Sequence, residues 1–206
     1  MRNVYLDTET TDFIPGQIAE LTMIVEDTDE KRIVDRLNYY FTVDEMTEGA
    51  EKVHGFSIEL LKQLSSGKRF EDHYKEIYNI LNGANLVAHN EKFDERFLSS
   101  EFWRCGISFR PANRFCTMEA FKDILMIPAK TMRYGKYKNP KLSEVIDYLR
   151  ISNSKVADFT RELFGETDKQ DAYHDSRFDT TAMFVAVQVQ RERMHGENAW
   201  IGRFCY

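Results

Sequence analysis

Alternating and continuous apolar runs occupy the first part of the chain, and a 3.6-residue period takes over after it. The segments "RNVYLD", "QIAELTMIVED" and "RIVDRLNYYFTV" are rich in β-branched and aromatic residues. Turn-rich "TTDFIPG" and charged "DTDEK" separate them, so the pattern predicts three strands joined as an antiparallel meander. Phe70, Tyr74, Ile77, Tyr78 and Leu81 then fall on one face of an amphipathic helix. "ANLVAH" reads as a short buried strand, Phe93, Phe97, Phe102 and Cys105 as a further helix, and "RFCTM" as the last strand. Asn139-Pro140 offers a cap and a first-turn proline to a helix carrying Leu142, Val145, Ile146 and Leu149. A final helix begins near Ser176 and turns Phe178, Ala182, Val185, Ala186 and Val189 inward. Strands first, then strands alternating with helices, imply an α/β fold with a mixed sheet covered by helices.

At 206 residues and 42% hydrophobic content the chain can bury a full core as one domain, residues 1–206. Its apolar runs are too short to span a membrane and no signal-type segment opens it, so the expectation is a soluble, cytoplasmic protein. Cys105, Cys116 and Cys205 are odd in number and widely spaced, which indicates ordinary reduced thiols rather than a disulfide framework or zinc cluster. A net charge of −6 excludes a protein coated in positive potential. The charge is uneven, however. "PAKTMRYGKYKNPK" carries Lys130, Arg133, Lys136, Lys138 and Lys141 with Tyr134 and Tyr137 between them and no acid. Such a stretch suits phosphates and stacked bases, with a solvated surface loop as the plainer alternative.

Chemistry enters with "LDTET", where Asp7 and Glu9 lie two positions apart at the end of a strand. Side chains at i and i+2 share a face roughly 7 Å apart, and like charges held that close need a cation, a shared proton or open water. Asn90 and Asp94 follow the "ANLVAH" strand at i and i+4, which puts Asp94 in the first turns of the next helix, also near a strand end. His174 precedes Asp179 by five residues. On one regular helix they would diverge by about 140°, so they converge only if His174 lies on the loop ahead of it. Taken singly, each has a plain structural reading: a helix-dipole partner for Asp94, a loop residue for His174, a surface acid for Asp179.

As an ordered set, D-x-E, H-N-x-x-F-D and H-x-x-x-x-D resemble the motifs of the DEDD family of 3′ to 5′ exonucleases. The match is to its histidine-bearing branch, which holds the polymerase III epsilon subunit, ribonuclease T, oligoribonuclease and the three-prime repair exonucleases. "VHGFSIELL" and "PKLSEVIDYLRI" are similar to further segments of that family. The resemblance implies a ribonuclease H-like mixed five-stranded sheet, an antiparallel meander followed by parallel strands. It implies a metal-dependent exonuclease that releases nucleoside 5′-monophosphates from 3′ ends, DNA favoured, with two Mg²⁺ or Mn²⁺ ions about 4 Å apart. Asp7, Glu9 and Asp179 would hold the first ion, Asp7 would bridge to the second, Asp94 would act largely through bound water, and His174 would take the proton from the attacking water.

The family's turn after D-x-E reads E-T-T-G or E-A-T-G, whereas here it is "ETTDF". Asp12 replaces the glycine; aspartate tolerates a left-handed backbone better than most residues, but it brings a negative charge near phosphate. Thr10 and Phe13 are the candidates for contact with the terminal nucleotide, Phe13 as a wedge against a base or else as core packing. Asn90, Lys136 and Lys138 complete the candidate substrate contacts. The implied partner is nucleic acid with a free 3′ end, single-stranded or frayed, with a polymerase or a second copy of the chain as possible associates. An exoribonuclease and a non-catalytic nucleic-acid-binding subunit are the alternatives. A haloacid dehalogenase-type phosphatase would want D-x-D and leaves His174 and Asp179 without a role.

Overall fold

The computed structural model of the chain describes residues 1–13, 16–131, 135–166 and 174–194. Arg133, Tyr134 and Cys205 lie outside the described residues. Strand β1 (Arg2–Thr10) pairs antiparallel with β2 (Ile18–Asp27), and β2 with β3 (Arg32–Tyr40), which is the expected meander. β4 (Asn85–Ala88) lies parallel to β1 on its other side, and β5 (Asn113–Cys116) parallel to β4. The sheet is therefore five-stranded and mixed, in the order β3-β2-β1-β4-β5.

β1 is central and covered on both faces, so its residues alternate between two cores. Val4 and Leu6 join Leu21, Met23 and Leu86 beneath α3 (Phe70–Leu81) and α4 (Glu91–Arg104). Tyr5 faces the opposite way, with Ile24, Val87 and Phe115, beneath α5 (Thr117–Leu125), α6 (Leu142–Leu149), α7 (Asn153–Phe164) and α8 (Ser176–Arg193). Continuing that alternation, Asp7 and Glu9 leave the strand on the α8 side and Thr8 on the α4 side. Two aromatic contacts illustrate the packing: Tyr5 meets Phe184 edge-on at 5.0 Å, and Phe70 meets Phe102 at 5.3 Å.

Four helices were not legible in the pattern. α1 (Glu48–His54) and α2 (Ile58–Leu64) are single short helices, each started by a hydroxyl: Thr47 Oγ1 accepts from the Ala50 N–H and Ser57 Oγ from the Leu60 N–H. α5 takes over directly from β5 at Thr117, a residue the strand reading had included. α7 buries Val156, Ala157 and Thr160 against α8 and β3 and ends at Gly165. The capping of α6 also differs from expectation. Its N-cap is Lys141, whose N–H donates to the Glu144 carboxylate at 2.8 Å, so Asn139-Pro140 lies just ahead of the helix and supplies neither cap nor first turn.

Candidate active site

The ends of β1 and β4 and the starts of α4 and α8 meet at one edge of the sheet. From α8 comes Asp179, and from the residue before its N-cap comes His174, which adopts a left-handed φ of 76°. That placement satisfies the condition for convergence. The His174 N–H donates to Asp179 Oδ2 at 3.0 Å, and Glu9, His174 and Asp179 each bring a ligand atom within 4.8 Å of the other two. Asp94 comes from the first turn of α4 on the other side of β1. Its Oδ1 accepts from both the Thr8 N–H at 3.1 Å and the Thr8 hydroxyl at 2.8 Å, tying α4 to the strand between the two leading acids.

Among the described residues, no lysine or arginine forms an ion pair with Asp7, Asp94 or Asp179. Burial first, and then the charges of Asp179, Asp94, Glu9 and Glu20, push Asp7 well above the usual carboxylate range. Asp94 rises to about 7 through burial, against the lowering effect of the Thr8 bonds. Asp179 also rises to about 7, through burial and then the nearby charges of Asp175 and Glu20, although the His174 amide opposes the shift. Asp179 Oδ1 is buried and takes no hydrogen bond. A buried orphan oxygen among mutually repelling carboxylates is what a site for hard, oxygen-seeking cations requires, and Mg²⁺ or Mn²⁺ fits this donor set.

The titration has a testable consequence for stability. Folded protein holds protons on Asp94 and Asp179 up to about pH 7, whereas in the unfolded chain these carboxyls ionise near pH 4. The folded state binds more protons across that window, so their contribution to stability is present at low pH and is lost as pH rises through 7. In EDTA the melting temperature should fall between pH 5 and 8. Mn²⁺ should restore more at pH 8 than at pH 5, since about 2.7 kcal/mol follows from ligand at a hundred times its Kd. Thermal unfolding at both pH values, with and without Mn²⁺, measures this; an equal metal effect at the two would contradict it.

Beside the acids lies a cavity of about 300 Å³ whose walls include Glu9, Thr10, Asp12, Phe13, Val53 and Phe93. His54 fixes its floor. Nδ1 accepts the Phe56 N–H at 3.0 Å, so the other nitrogen carries the proton and donates to the Thr10 carbonyl at 3.3 Å. Thr47 ties α1 to the same turn by donating its N–H and hydroxyl to the Thr11 carbonyl at 3.0 and 3.1 Å. Phe13 is 77% exposed, which removes the core-packing reading. Its ring meets Phe93 at 6.3 Å, and Arg96 lies over Phe93 while donating to the Phe13 carbonyl. Asp12 does not take up a left-handed φ, in contrast to the expectation for a residue at the family's glycine position. Gly16 does the accommodating, because a Cβ there would stand 2.9 Å from the Asp12 carbonyl.

The remaining candidates lie elsewhere. Asn90 is exposed at the N-cap of α4, with φ 88°, and does not line the cavity. Lys136 and Lys138 also lie outside it, on a hairpin paired at Pro128 and Tyr137. Lys138 pairs with Glu144, and Lys136 is exposed with its ammonium 5.2 Å from the Tyr137 ring. Lys122, Lys130 and Lys138 border a second cavity of about 490 Å³. Neutral His89, lowered to about 4 by burial, donates to the Pro140 carbonyl at 3.1 Å and so pins the segment after the hairpin to the end of β4.

Sequence reasoning passed over Glu20, Asp175 and Arg177. Glu20 stands opposite Glu9 across β1 and β2, is fully buried, and is pushed up to about 7 by burial and by Asp175. Arg177 offsets part of that charge, clamped to Asp175 at 2.7 Å and 3.8 Å from Glu20. An acid inside the apolar run "ELTMIV" was the available signal.

Comparison with known proteins decides the family. Residues 4–129, more than half of the chain, match the exonuclease family model, that of ribonuclease T. The chain belongs to the exonuclease family. It is 29% identical over 161 residues to the DNA polymerase III subunit epsilon of Haemophilus influenzae, a match covering 75% of this chain and 59% of that one. The 3′-5′ exonuclease DinG of Bacillus subtilis is 26% identical over 168 residues, covering 80% of this chain and 17% of DinG. The chain thus spans less than two thirds of each relative. In fold it resembles Escherichia coli exonuclease I, solved with a dA16 oligonucleotide, at a TM-score of 0.70 and 12% identity over 98% of this chain and 42% of that one. Among the described residues, no helix is long and apolar enough to cross a membrane.

Proposed function

We propose that the chain is a 3′-5′ exonuclease that removes nucleoside 5′-monophosphates one at a time from the 3′ end of single-stranded or frayed nucleic acid, with DNA favoured. The observation that carries this is the convergence of Glu9, His174 and Asp179 within 4.8 Å, beside a cavity suited in size to one nucleoside. Family membership and the naming of relatives as a polymerase III subunit and a 3′-5′ exonuclease support it. Residues 1–206 are read as one exonuclease domain, in keeping with the packing of α8 on β1 and β2.

Asp7, Glu9 and Asp179 would hold one divalent ion, Asp7 and water bound to Asp94 a second. Two such ions supply a nucleophilic hydroxide at neutral pH and neutralise charge on the phosphorane-like transition state. His174 removes the proton from the attacking water, and its backbone bond to Asp179 keeps imidazole and carboxylate in one frame. Asp94, anchored on Thr8, holds α4 against the reacting edge. Thr10 and the Phe13–Phe93 pair receive the terminal nucleoside, and exposed aromatic faces suit base stacking.

The test is a 3′-labelled strand incubated with Mg²⁺: mononucleotides should appear, and EDTA should stop them. Release unaffected by EDTA contradicts the metal-dependent reading. Running matched single-stranded DNA, mismatched duplex DNA and single-stranded RNA side by side separates the DNA preference from the exoribonuclease alternative. Lys136 and Lys138 are read as contacts to phosphates further along the strand. Lys136→Glu is the cleaner variant, because Lys138 already pairs with Glu144. It should weaken binding and shallow the slope of log affinity against log salt by about 0.7. An unchanged slope would make the hairpin ordinary surface. A polymerase or second-copy partner belongs to the same reading and is checked by the mass of the complex that the chain forms with each.

A further inference from the structure

His174 sits in a left-handed backbone, φ 76°, which is uncommon for a residue other than glycine and persists only where its surroundings over-determine it. Apart from its own N–H bond to Asp179, the hold seen among the described residues comes from the three that follow it. Asp175 caps α8, its Oδ1 accepting the Arg177 N–H at 3.0 Å. Arg177 then grips both oxygens of the same carboxylate, Nε donating to Oδ1 at 3.0 Å and a terminal nitrogen to Oδ2 at 2.7 Å. The Ser176 hydroxyl lies 2.5 Å from that of Thr22 on β2, which donates in turn to the Asn38 side chain on β3 at 2.7 Å. Asp175 and Ser176 are buried, and the Arg177 side chain is only 12% exposed.

Arg177 is the centre of this anchor. Its side chain lies 3.8 Å from Glu20 on β2 and 5.8 Å from the Tyr40 ring on β3, so the planar fork that grips Asp175 is itself seated on the sheet. A two-pronged grip fixes direction as well as distance, which a flexible point charge does not. Asp175, Ser176 and Arg177 do not line the cavity beside the acids, and on the reading above, which this inference rests on, they touch neither substrate nor ion. What they fix is the point from which the His174 side chain departs. A displacement of about 1 Å there is enough to cost about a hundredfold in rate.

We propose that Arg177 is a positioning residue: by clamping Asp175 against β2 and β3 it holds the His174 imidazole beside Glu9 and Asp179, and it acts on the rate through His174 alone. Cation binding does not need this arginine. Its charge opposes cations, since it offsets Glu20, whose own charge bears on Asp7 and Asp179.

Single-turnover rates in Mn²⁺ are measured for wild type, Arg177→Gln, Arg177→Lys and the pair Arg177→Gln with Glu20→Gln, each with His174 present and with His174→Ala. The paired variant guards against misfolding, because it leaves no buried Glu20 carboxylate without its cation. With His174 present, all three should fall by about tenfold or more; in the His174→Ala background they should change the rate by no more than about twofold. Mn²⁺ affinity should hold or rise. A further readout needs no activity: in native-state hydrogen exchange without metal, the His174 amide should lose protection by about tenfold or more, while Ala186 and Val187, buried in the middle of α8, keep theirs. Equal falls in both His174 backgrounds, Mn²⁺ affinity falling with the rate, full rate in Arg177→Lys, or unchanged exchange at His174 would overturn the proposal. Absence of hydrolysis by wild type, or a His174→Ala variant as fast as wild type, would instead defeat the reading of the reaction, and exchange at His174 would still judge Arg177.

Discussion

Asp7→Asn should lower the rate of 3′-end hydrolysis by at least about a thousandfold and, in the same protein, raise the melting temperature without metal. Both effects come from one fact. Asp7 is the residue on which the charges of Asp179, Asp94, Glu9 and Glu20 all bear, on top of its burial. An amide there removes the repulsion, so the metal-free fold gains stability, as is common when a functional site is defused. It also removes the ligand expected to touch both ions. A metal supplies several kcal/mol of transition-state stabilisation, and each 1.36 kcal/mol is tenfold in rate. Single-turnover rates in Mn²⁺ and thermal unfolding in EDTA measure the two arms. Full activity would exclude a role in metal binding; lost activity with a lower melting temperature would mean that Asp7 is a structural residue.

His174→Ala should slow hydrolysis by about 10²–10⁴, the range for a lost general base, while Mn²⁺ affinity changes little. The substitution is a clean one, because the bond that orients Asp179 comes from the His174 backbone N–H and survives the loss of the ring. Geometry leaves a rival role to be separated, since the imidazole is within ligand distance of Glu9 and Asp179. A base and a ligand predict different outcomes. If the ring is the base, rate falls and metal titration does not. If Mn²⁺ affinity falls in step with the rate, His174 is a ligand and the proton must go elsewhere.

The architecture and the acids were legible because they depend on short-range rules. Period-2 alternation placed Tyr5, Asp7 and Glu9 on one face of β1, and the strand-to-helix boundary at residues 88–91 put Asp94 at the reacting edge. The five-residue gap from His174 to Asp179 demanded a loop residue, which a left-handed His174 ahead of α8 satisfies. What stayed hidden depends on pairing across distance. Glu20 becomes a neighbour of Glu9 only through the β1–β2 register, and Arg177 offsets its charge only because α8 lies on β2. α7 was missed because a partly polar twelve-residue helix owes its stability to packing on α8 and β3 rather than to its own period. Lys136 and Lys138 were read as substrate contacts from a basic, tyrosine-bearing segment, and its position relative to the cavity depends on long-range pairing, here the bridge between Pro128 and Tyr137.

The central claim is that Asp7, Glu9, Asp94 and Asp179 surround a pair of divalent cations. Crystals grown with Mn²⁺ and a nucleoside 5′-monophosphate, measured by anomalous scattering, test it most directly. Two manganese peaks about 4 Å apart, bounded by these four carboxylates and with the nucleoside beside Thr10 and Phe13, are the predicted result. Absence of both peaks, or manganese held without Asp7 and Asp179, would contradict it.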